Sequence, residues 1–138
     1  MRHVCWVVFG VLLAGCSGGP TAPQPNAAQA EVLLAVGRWS SGPACLSVTE
    51  SSVDIYSGCW HGQFKRPQVG SDGTFSGEGT YRFEAGPVRD ETGQTALFSG
   101  SISGDTLTLT VVRTDKSISA VSYALSPSGE GECVPLCR

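Results

Sequence analysis

The stretch Ala96–Thr114 reads ALFSGSISGDTLTLTVVRT and carries the clearest strand signal in the chain. After Gly104-Asp105, the apolar residues Leu107, Leu109 and Val111 alternate with polar ones, most of them threonines. An alternation with a period of two places all the apolar side chains on one face of a strand. A two-residue connection that begins with glycine is typical of a type II′ turn. The stretch therefore predicts a β-hairpin with one apolar face.

The same alternation recurs on both sides of this hairpin. It covers Leu46 and Val48, Val53 and Ile55, the series from Phe75 to Phe83, and Val121, Tyr123 and Leu125. Strands that are half-buried and closely spaced are typical of small β-proteins. We expect an all-β fold, an antiparallel meander closed or nearly closed into a small barrel of about seven to nine short strands, with a β-sandwich as the alternative.

The length of 138 residues suits one such domain, which we place at residues 32–138. The segment from Glu31 to Val36 is interpreted as a lead-in to a first strand at Val36–Trp39. Turn signals occur at Ser71-Asp72-Gly73, at Gly86-Pro87 and at Asp115-Lys116.

The N-terminus has the pattern of an export signal. Residues 1–15 begin with Arg2 and His3, continue with the apolar run VCWVVFGVLL from Val4 to Leu13, and end in small residues. A run of this length is too short for a transmembrane helix, which needs about 20 apolar residues. We therefore expect residues 1–15 to be a signal peptide.

The residues Leu13-Ala14-Gly15-Cys16 resemble the lipobox of bacterial lipoproteins. The resemblance implies that Cys16 receives a lipid and becomes the mature N-terminus, so that the membrane is a partner through this anchor. Residues 16–31 are rich in Pro, Ala and Gly, which predicts a flexible tether. With Ser17 after the cysteine, the resemblance implies a place in the bacterial cell envelope, at the outer membrane and facing the periplasm or the surface.

Four cysteines remain for the exported domain, namely Cys45, Cys59, Cys133 and Cys137. An even number in an oxidising compartment favours two disulfides, and four cysteines allow three pairings. Bonds from the C-terminal tail to the early strands close the longest loops and so gain the most stability, whereas local Cys45–Cys59 and Cys133–Cys137 bonds are the alternative. A zinc site is disfavoured, because the mature chain has one histidine and no C-x-x-C pair. We expect no metal and no cofactor.

The composition also narrows the function. Cleavage after residue 15 removes Arg2 and no acidic residue, which leaves 8 basic against 12 acidic residues and predicts no nucleic-acid partner. No G-x-S-x-G motif occurs, and a lone His61 beside an aromatic residue is more often packed than catalytic. We therefore expect a protein that is not an enzyme. The sequence leaves the oligomeric state open.

Several short motifs together resemble those of a group of exported bacterial β-barrel proteins to which no activity is assigned. They are Trp39, the run VDIYSGCWHG from Val53 to Gly62, Gly73 with Phe75, Gly79-Thr80-Tyr81, Gly86-Pro87-Val88, and the run from Phe98 to Val111 followed by a terminal cysteine. In that group a Cys-x-His-Gly segment and a C-terminal cysteine recur, corresponding to Cys59, His61, Gly62 and Cys137. Together with the loop lengths, the resemblance implies a Cys59–Cys137 bond, with Cys45 left to pair with Cys133.

Gly37-Arg38-Trp39 also resembles the G-x-W motif at the first strand of lipocalins, where the Trp closes the floor of the barrel. The domain is shorter than a lipocalin, and small barrels fill their interior with side chains. We therefore expect a packed barrel.

Three functions fit these features. The first is a binding or structural module of the cell envelope with an envelope protein as a candidate partner. The second is an inhibitor of a periplasmic or secreted hydrolase, with Trp60, His61 and Arg66 in a candidate interaction loop. The third is a carrier of a small ligand, which requires an apolar cavity.

Overall fold

The computed structural model describes residues 32–84, 92–129, 133–134 and 137. The predicted signal peptide, Cys16, the tether and the turn at Gly86-Pro87 lie outside these residues. The described strands are β1 (Val32–Leu33), β2 (Gly37–Ser41), β3 (Ala44–Val48), β4 (Ser52–Ser57), β5 (Trp60–Lys65), β6 (Gln68–Val69), β7 (Thr74–Phe83), β8 (Gln94–Ser103), β9 (Thr106–Arg113) and β10 (Val121–Pro127).

Eight of these strands form a closed antiparallel barrel in the order β10-β2-β3-β4-β5-β7-β8-β9. Each barrel strand pairs with the next barrel strand along the chain, with β5 pairing with β7, and β10 closes the barrel by pairing with β2 at Ser126↔Ser40 and Pro127↔Trp39. The predicted meander barrel is confirmed, and the sandwich alternative is wrong. Full closure leaves none of these eight strands as an unpaired edge.

The predicted hairpin is present as β8 and β9, which are joined by Gly104-Asp105. Ser103 pairs with Thr106 across the turn, and Gly104 has a φ of 56°. Asp105 is not among the residues with positive φ, which agrees with the type II′ turn predicted from the sequence.

The segment before the first barrel strand differs from its prediction as a simple lead-in. Val32 and Leu33 form a separate two-stranded sheet with β6, and the first barrel strand begins at Gly37. The cause is Leu34, whose side chain is fully buried, while its backbone N–H donates to Pro67 O at 3.0 Å. Arg66 Nε donates to Leu34 O at 2.7 Å and fixes the segment in place.

Aliphatic and aromatic side chains fill the interior of the barrel, as expected for one of this size. The fully buried members include Leu46, Val53, Ile55, Tyr81, Phe98, Leu107, Leu109 and Leu125. Glycines give the rings their space. A Cβ on Gly62 would lie 2.9 Å from Phe98 Cε1, and a Cβ on Gly100 would lie 2.4 Å from Phe75 Cζ.

Two disulfides attach the C-terminal tail to the barrel. Cys45 bonds to Cys133 and Cys59 bonds to Cys137, with Cα atoms 5.6 Å and 5.0 Å apart. These distances lie in the normal range for disulfides, about 4.4–6.8 Å. The predicted long-range pairing is confirmed, and the two local bonds are wrong.

Candidate binding site at the open end of the barrel

The two ends of the barrel differ in how they are closed. At one end the chain folds back through Leu34, and the buried side chain of this residue joins the core. We call this the closed end. At the other end lie the β2–β3 turn, the β4–β5 turn at Gly58, the β9–β10 connection at residues 114–120, and the β7–β8 connection, of which residues 85–91 lie outside the described residues. We call this the open end, because among the described residues a cleft lies there beside the β4–β5 turn and the β9–β10 connection.

Three aromatic side chains form a cluster at the open end. Trp60, Tyr81 and Phe83 belong to the inward-facing set of β5 and β7, since each continues the alternation of a buried face. The Trp60 ring stacks on Tyr81 with centroids 5.0 Å apart and lies tilted against Phe83 at 5.1 Å. Phe83 is 47% exposed. Among the described residues, the Phe83 side of this cluster is therefore accessible to solvent.

A pair of phenols adds polarity to this cluster. Tyr81 Oη lies 2.9 Å from Tyr123 Oη, within hydrogen-bond distance. Burial, and next the hydrogen bond with Tyr123, raise the pKa of Tyr81 above its ordinary value, so the phenol stays protonated. One hydroxyl donates to the other, and the accepting hydroxyl keeps its own proton for a further acceptor.

Arg113 lies beside the cluster on the inward-facing side of β9. It continues the series Leu107, Leu109 and Val111 at the same period. Its guanidinium carbon is 5.9 Å from the Trp60 ring centroid, a distance at which a cation is attracted to the ring. Nη2 donates to Asp115 at 2.6 Å, while the buried Nε has no hydrogen-bond partner in the described part of the chain.

The cleft next to this cluster has a volume of about 350 Å³. Its lining combines apolar surface with four hydroxyl groups, contributed by Ser57, Trp60, Tyr81, Ile118, Ser119, Val121 and Tyr123. None of these lining residues is charged. A mainly apolar wall with a few hydrogen-bonding groups is the usual composition of a small-molecule site.

A second cluster lies on the outer wall of the barrel, where His61 faces away from the core. His61 Nε2 lies 3.1 Å from Asp54 Oδ1, and Nδ1 lies 3.1 Å from Glu84 Oε1. Arg82 Nη2 lies 3.0 Å from Nδ1, and the Tyr56 ring stacks on the imidazole at 4.2 Å. His61 is only 7% exposed.

This cluster holds two carboxylates in their charged form. The hydrogen bond with His61 lowers the pKa of Asp54, against the opposing effect of burial. Burial alone would raise the pKa of Glu84, but hydrogen bonds from Arg82 and His61 outweigh it and lower the pKa. Both imidazole nitrogens are engaged, so the arrangement ties β4, β5 and β7 together on the outside of the barrel.

The three residues of the predicted interaction loop lie in three different places. Trp60 and His61 are consecutive in strand β5, so Trp60 points into the open end while His61 points to the outer wall. Arg66 follows β5 at the closed end, where it bonds Leu34 O and Glu50. The stretch forms a strand rather than one loop, and the structure does not bring these side chains together.

A larger hollow lies outside the wall at the closed end, with a volume of about 650 Å³. It is lined by Leu33, Lys65, Arg66, Gln68, Thr74, Phe75 and Ser76. Arg66, the most buried cation there, already holds Leu34 O and Glu50.

Sequence reasoning missed four residues of the open end, namely Tyr81, Phe83, Arg113 and Tyr123. A signal was present, because Arg113 occupies an inward position by period two after Val111, and Phe83 occupies one after Tyr81. An inward-facing residue near the end of a strand either closes the barrel or lines its entrance. The polarity of Arg113 indicated an entrance.

Comparisons with protein-family models, with curated proteins and with solved structures find no match to this chain. Within the described residues, no group of three or more His, Cys, Asp or Glu side chains is arranged to hold a metal ion. The same part of the chain contains no helix long and apolar enough to cross a membrane.

Proposed function

We propose that this protein is a lipid-anchored binding module of the bacterial cell envelope that engages its partner with the open end of the barrel. The observation that carries the proposal is the cleft beside Trp60. Its lining combines the Trp60 ring with hydroxyl groups, the exposed ring of Phe83 lies beside Trp60, and the other end of the barrel is closed by Leu34.

The packed interior supports binding at the entrance over transport inside the barrel. Phe64 stacks on Phe98 at 4.3 Å, and a Cβ on Gly62 would collide with three side chains. A ligand on the barrel axis would have to displace these groups, and dense cores resist such changes. A ligand at the open end displaces none of them.

The chemistry of the titratable groups supports binding rather than catalysis. Among the described residues His61 is the only histidine, and each of its ring nitrogens already lies within hydrogen-bond distance of a carboxylate on the outer wall. Arg113 and Asp115 form an ion pair beside the cleft. A general base needs a free site within hydrogen-bond reach of the proton it removes.

The proposed location in the cell envelope is supported by the lipobox at Cys16 and by the two disulfides, which are typical of oxidising compartments. Replacement of Cys16 with Ser is expected to abolish labelling with a radioactive fatty acid and to release the protein from the membrane fraction. Retention of both label and membrane association in Cys16→Ser would contradict the anchor.

The binding role is tested with the ¹⁵N-labelled protein in mild detergent and a solubilised envelope extract of the source bacterium. The extract is expected to shift the indole N–H signal of Trp60 and to leave that of Trp39 in place. Ser119→Tyr, which places a ring in the cleft from an exposed position, should abolish the shift. Ser51→Tyr, in an exposed turn at the closed end, is the matched control. An equal response in both variants would contradict the proposal.

A further inference from the structure

We propose that the ligand of the open end is a neutral saccharide, bound with a pyranose ring against the aromatic cluster and its hydroxyls toward the two phenols. This inference rests on the proposed binding role and adds the chemical class of the ligand. It follows from three properties of the cleft, namely its aromatic surface, its hydroxyl groups and its charge.

The aromatic surface suits the C–H faces of a sugar ring. Trp60 lines the cleft, and Phe83, which contacts Trp60, leaves nearly half of its surface exposed. Tyr81 stacks on Trp60 and Arg113 lies over the Trp60 ring at 5.9 Å, so Phe83 is the ring of the cluster that has the most surface left for a sugar. A rigid ring loses little conformational entropy when a ligand binds to it.

The hydroxyl groups suit a ligand that both donates and accepts hydrogen bonds. Ser57, Ser119, Tyr81 and Tyr123 all line the cleft, and a hydroxyl can act in either role. The accepting member of the tyrosine pair has a proton left to donate. Sugar hydroxyls also act in either role, so the two sets complement each other without any charge.

The described lining of the cleft gives an ion no partner of opposite charge. No lining residue is charged, and Arg113, which lies over the Trp60 ring, is paired with Asp115 at 2.6 Å. An acidic or basic ligand would lose its hydration at the cleft without gaining an ion pair. Among the described residues the Nε–H of Arg113 has no acceptor, and one hydroxyl oxygen or one water would satisfy it.

The size of the cleft sets the length of the ligand. Its volume of about 350 Å³ lies at the lower end of the range for small-molecule pockets. It therefore suits one or two sugar rings rather than a long chain buried along its length. Single rings should bind with dissociation constants of about 1 mM, as expected for ligands of this size.

The test is an NMR titration of the full protein in detergent with glucose, N-acetylglucosamine, cellobiose and the anion glucuronate. We expect at least one neutral saccharide to shift the Trp60 indole signal while the Trp39 signal stays in place. In Ser119→Tyr the affinity should fall by about tenfold or more, and in Ser51→Tyr it should stay unchanged. Tyr123→Phe, which keeps the ring and removes one hydroxyl, should weaken binding by about three- to tenfold.

The outcomes separate this inference from the binding role. If the envelope extract shifts Trp60 and no neutral saccharide does, the ligand class is wrong and the binding role stands. If glucuronate binds about tenfold more tightly than glucose, the neutral preference is wrong. If neither the extract nor any saccharide shifts Trp60, both proposals fail. Unchanged spectral dispersion in each variant shows that the barrel is folded.

Discussion

The two ends of this barrel are built from the same strands, yet they have opposite properties. At the closed end a leucine that precedes the first barrel strand seals the core, and a buried arginine bonds its backbone oxygen. At the open end the inward positions carry Trp60, Phe83 and Arg113, and Phe83 is 47% exposed. The difference shows that the alternation along each strand determines which side chains point inward. The segments that connect the strands determine whether those inward side chains are buried in the core or reach the surface.

The largest expected effect concerns the disulfides that hold the tail to the wall. Cys59 lies in the turn at the open end, and its bond to Cys137 spans 78 residues. Cys45 lies in the barrel wall, and its bond to Cys133 spans a similar length of 88 residues. Because the loop-closure gain depends on the logarithm of this length, loss of either bond should lower the free energy of unfolding by about 2–5 kcal/mol. Urea unfolding of Cys59→Ser/Cys137→Ser and of Cys45→Ser/Cys133→Ser measures both. A loss below about 1 kcal/mol at the open end alone would show that this end is not coupled to global unfolding.

A smaller effect is expected at the closed end from two neighbouring leucines. Leu34→Ala should cost about 2–4 kcal/mol, because it opens a cavity where a fully buried side chain stood. Leu33→Ala should cost less than about 1 kcal/mol, because its side chain is 43% exposed. Urea unfolding of the two variants compares them directly. Equal losses would contradict the sealing role of Leu34.

The outer wall should make the barrel sensitive to acid. Asp54 and Glu84 have pKa values in the folded protein below their ordinary values of 3.8 and 4.5. Their contribution to the free energy of unfolding is therefore complete above the ordinary pKa values, and it is lost as the pH falls through the lower pKa values of the folded protein. The free energy of unfolding should therefore drop between pH 5 and pH 2. This drop should be smaller than the loss caused by the substitution Leu34→Ala, because solvent partly screens both carboxylates.

Asp54→Asn combined with Glu84→Gln should flatten this pH dependence, since the amides do not titrate. His61, Arg82, Gln63 and Ser52 bond these carboxylates, and none of these four residues is changed in the double variant. Glu78→Gln, an exposed acid on β7, is the control. A pH profile of the double variant as steep as that of the unchanged protein would contradict the assignment.

The smallest effect on stability is expected for two exposed apolar residues on neighbouring strands. Phe83 is 47% exposed at the open end, and Leu97 is 46% exposed on the outer wall. Alanine at either position should change the free energy of unfolding by less than about 1 kcal/mol. Only Phe83→Ala should weaken saccharide binding in the titration. Equal binding by the two variants would remove Phe83 from the site.

Much of the fold followed from period-two alternation, because a closed barrel lets the pattern of each strand decide its inward face. The hairpin at Gly104-Asp105 was predictable from two residues, because a two-residue connection with glycine in its first position favours the type II′ turn. The pairing of β1 with β6 was not predictable, because each strand has two residues and depends on the contacts of Leu34.

The candidate site was predictable only in part. Trp60 was singled out from the sequence, but its strand alternates, so His61 lies on the other side of the wall and Arg66 at the other end. The partners of Trp60 come from β7, β9 and β10, which are distant in sequence. The sequence pattern of a single strand does not predict which distant strands the closed barrel brings together.

A spin-labelled saccharide tests most directly that the open end binds and the closed end does not. Its unpaired electron broadens NMR signals nearby, so the account predicts loss of the Trp60 indole and Ile118 methyl signals. The Leu34 methyl signals at the closed end should stay sharp, and excess unlabelled saccharide should restore the lost signals. Broadening at Leu34 before Trp60, or equal broadening at both ends, would contradict the account.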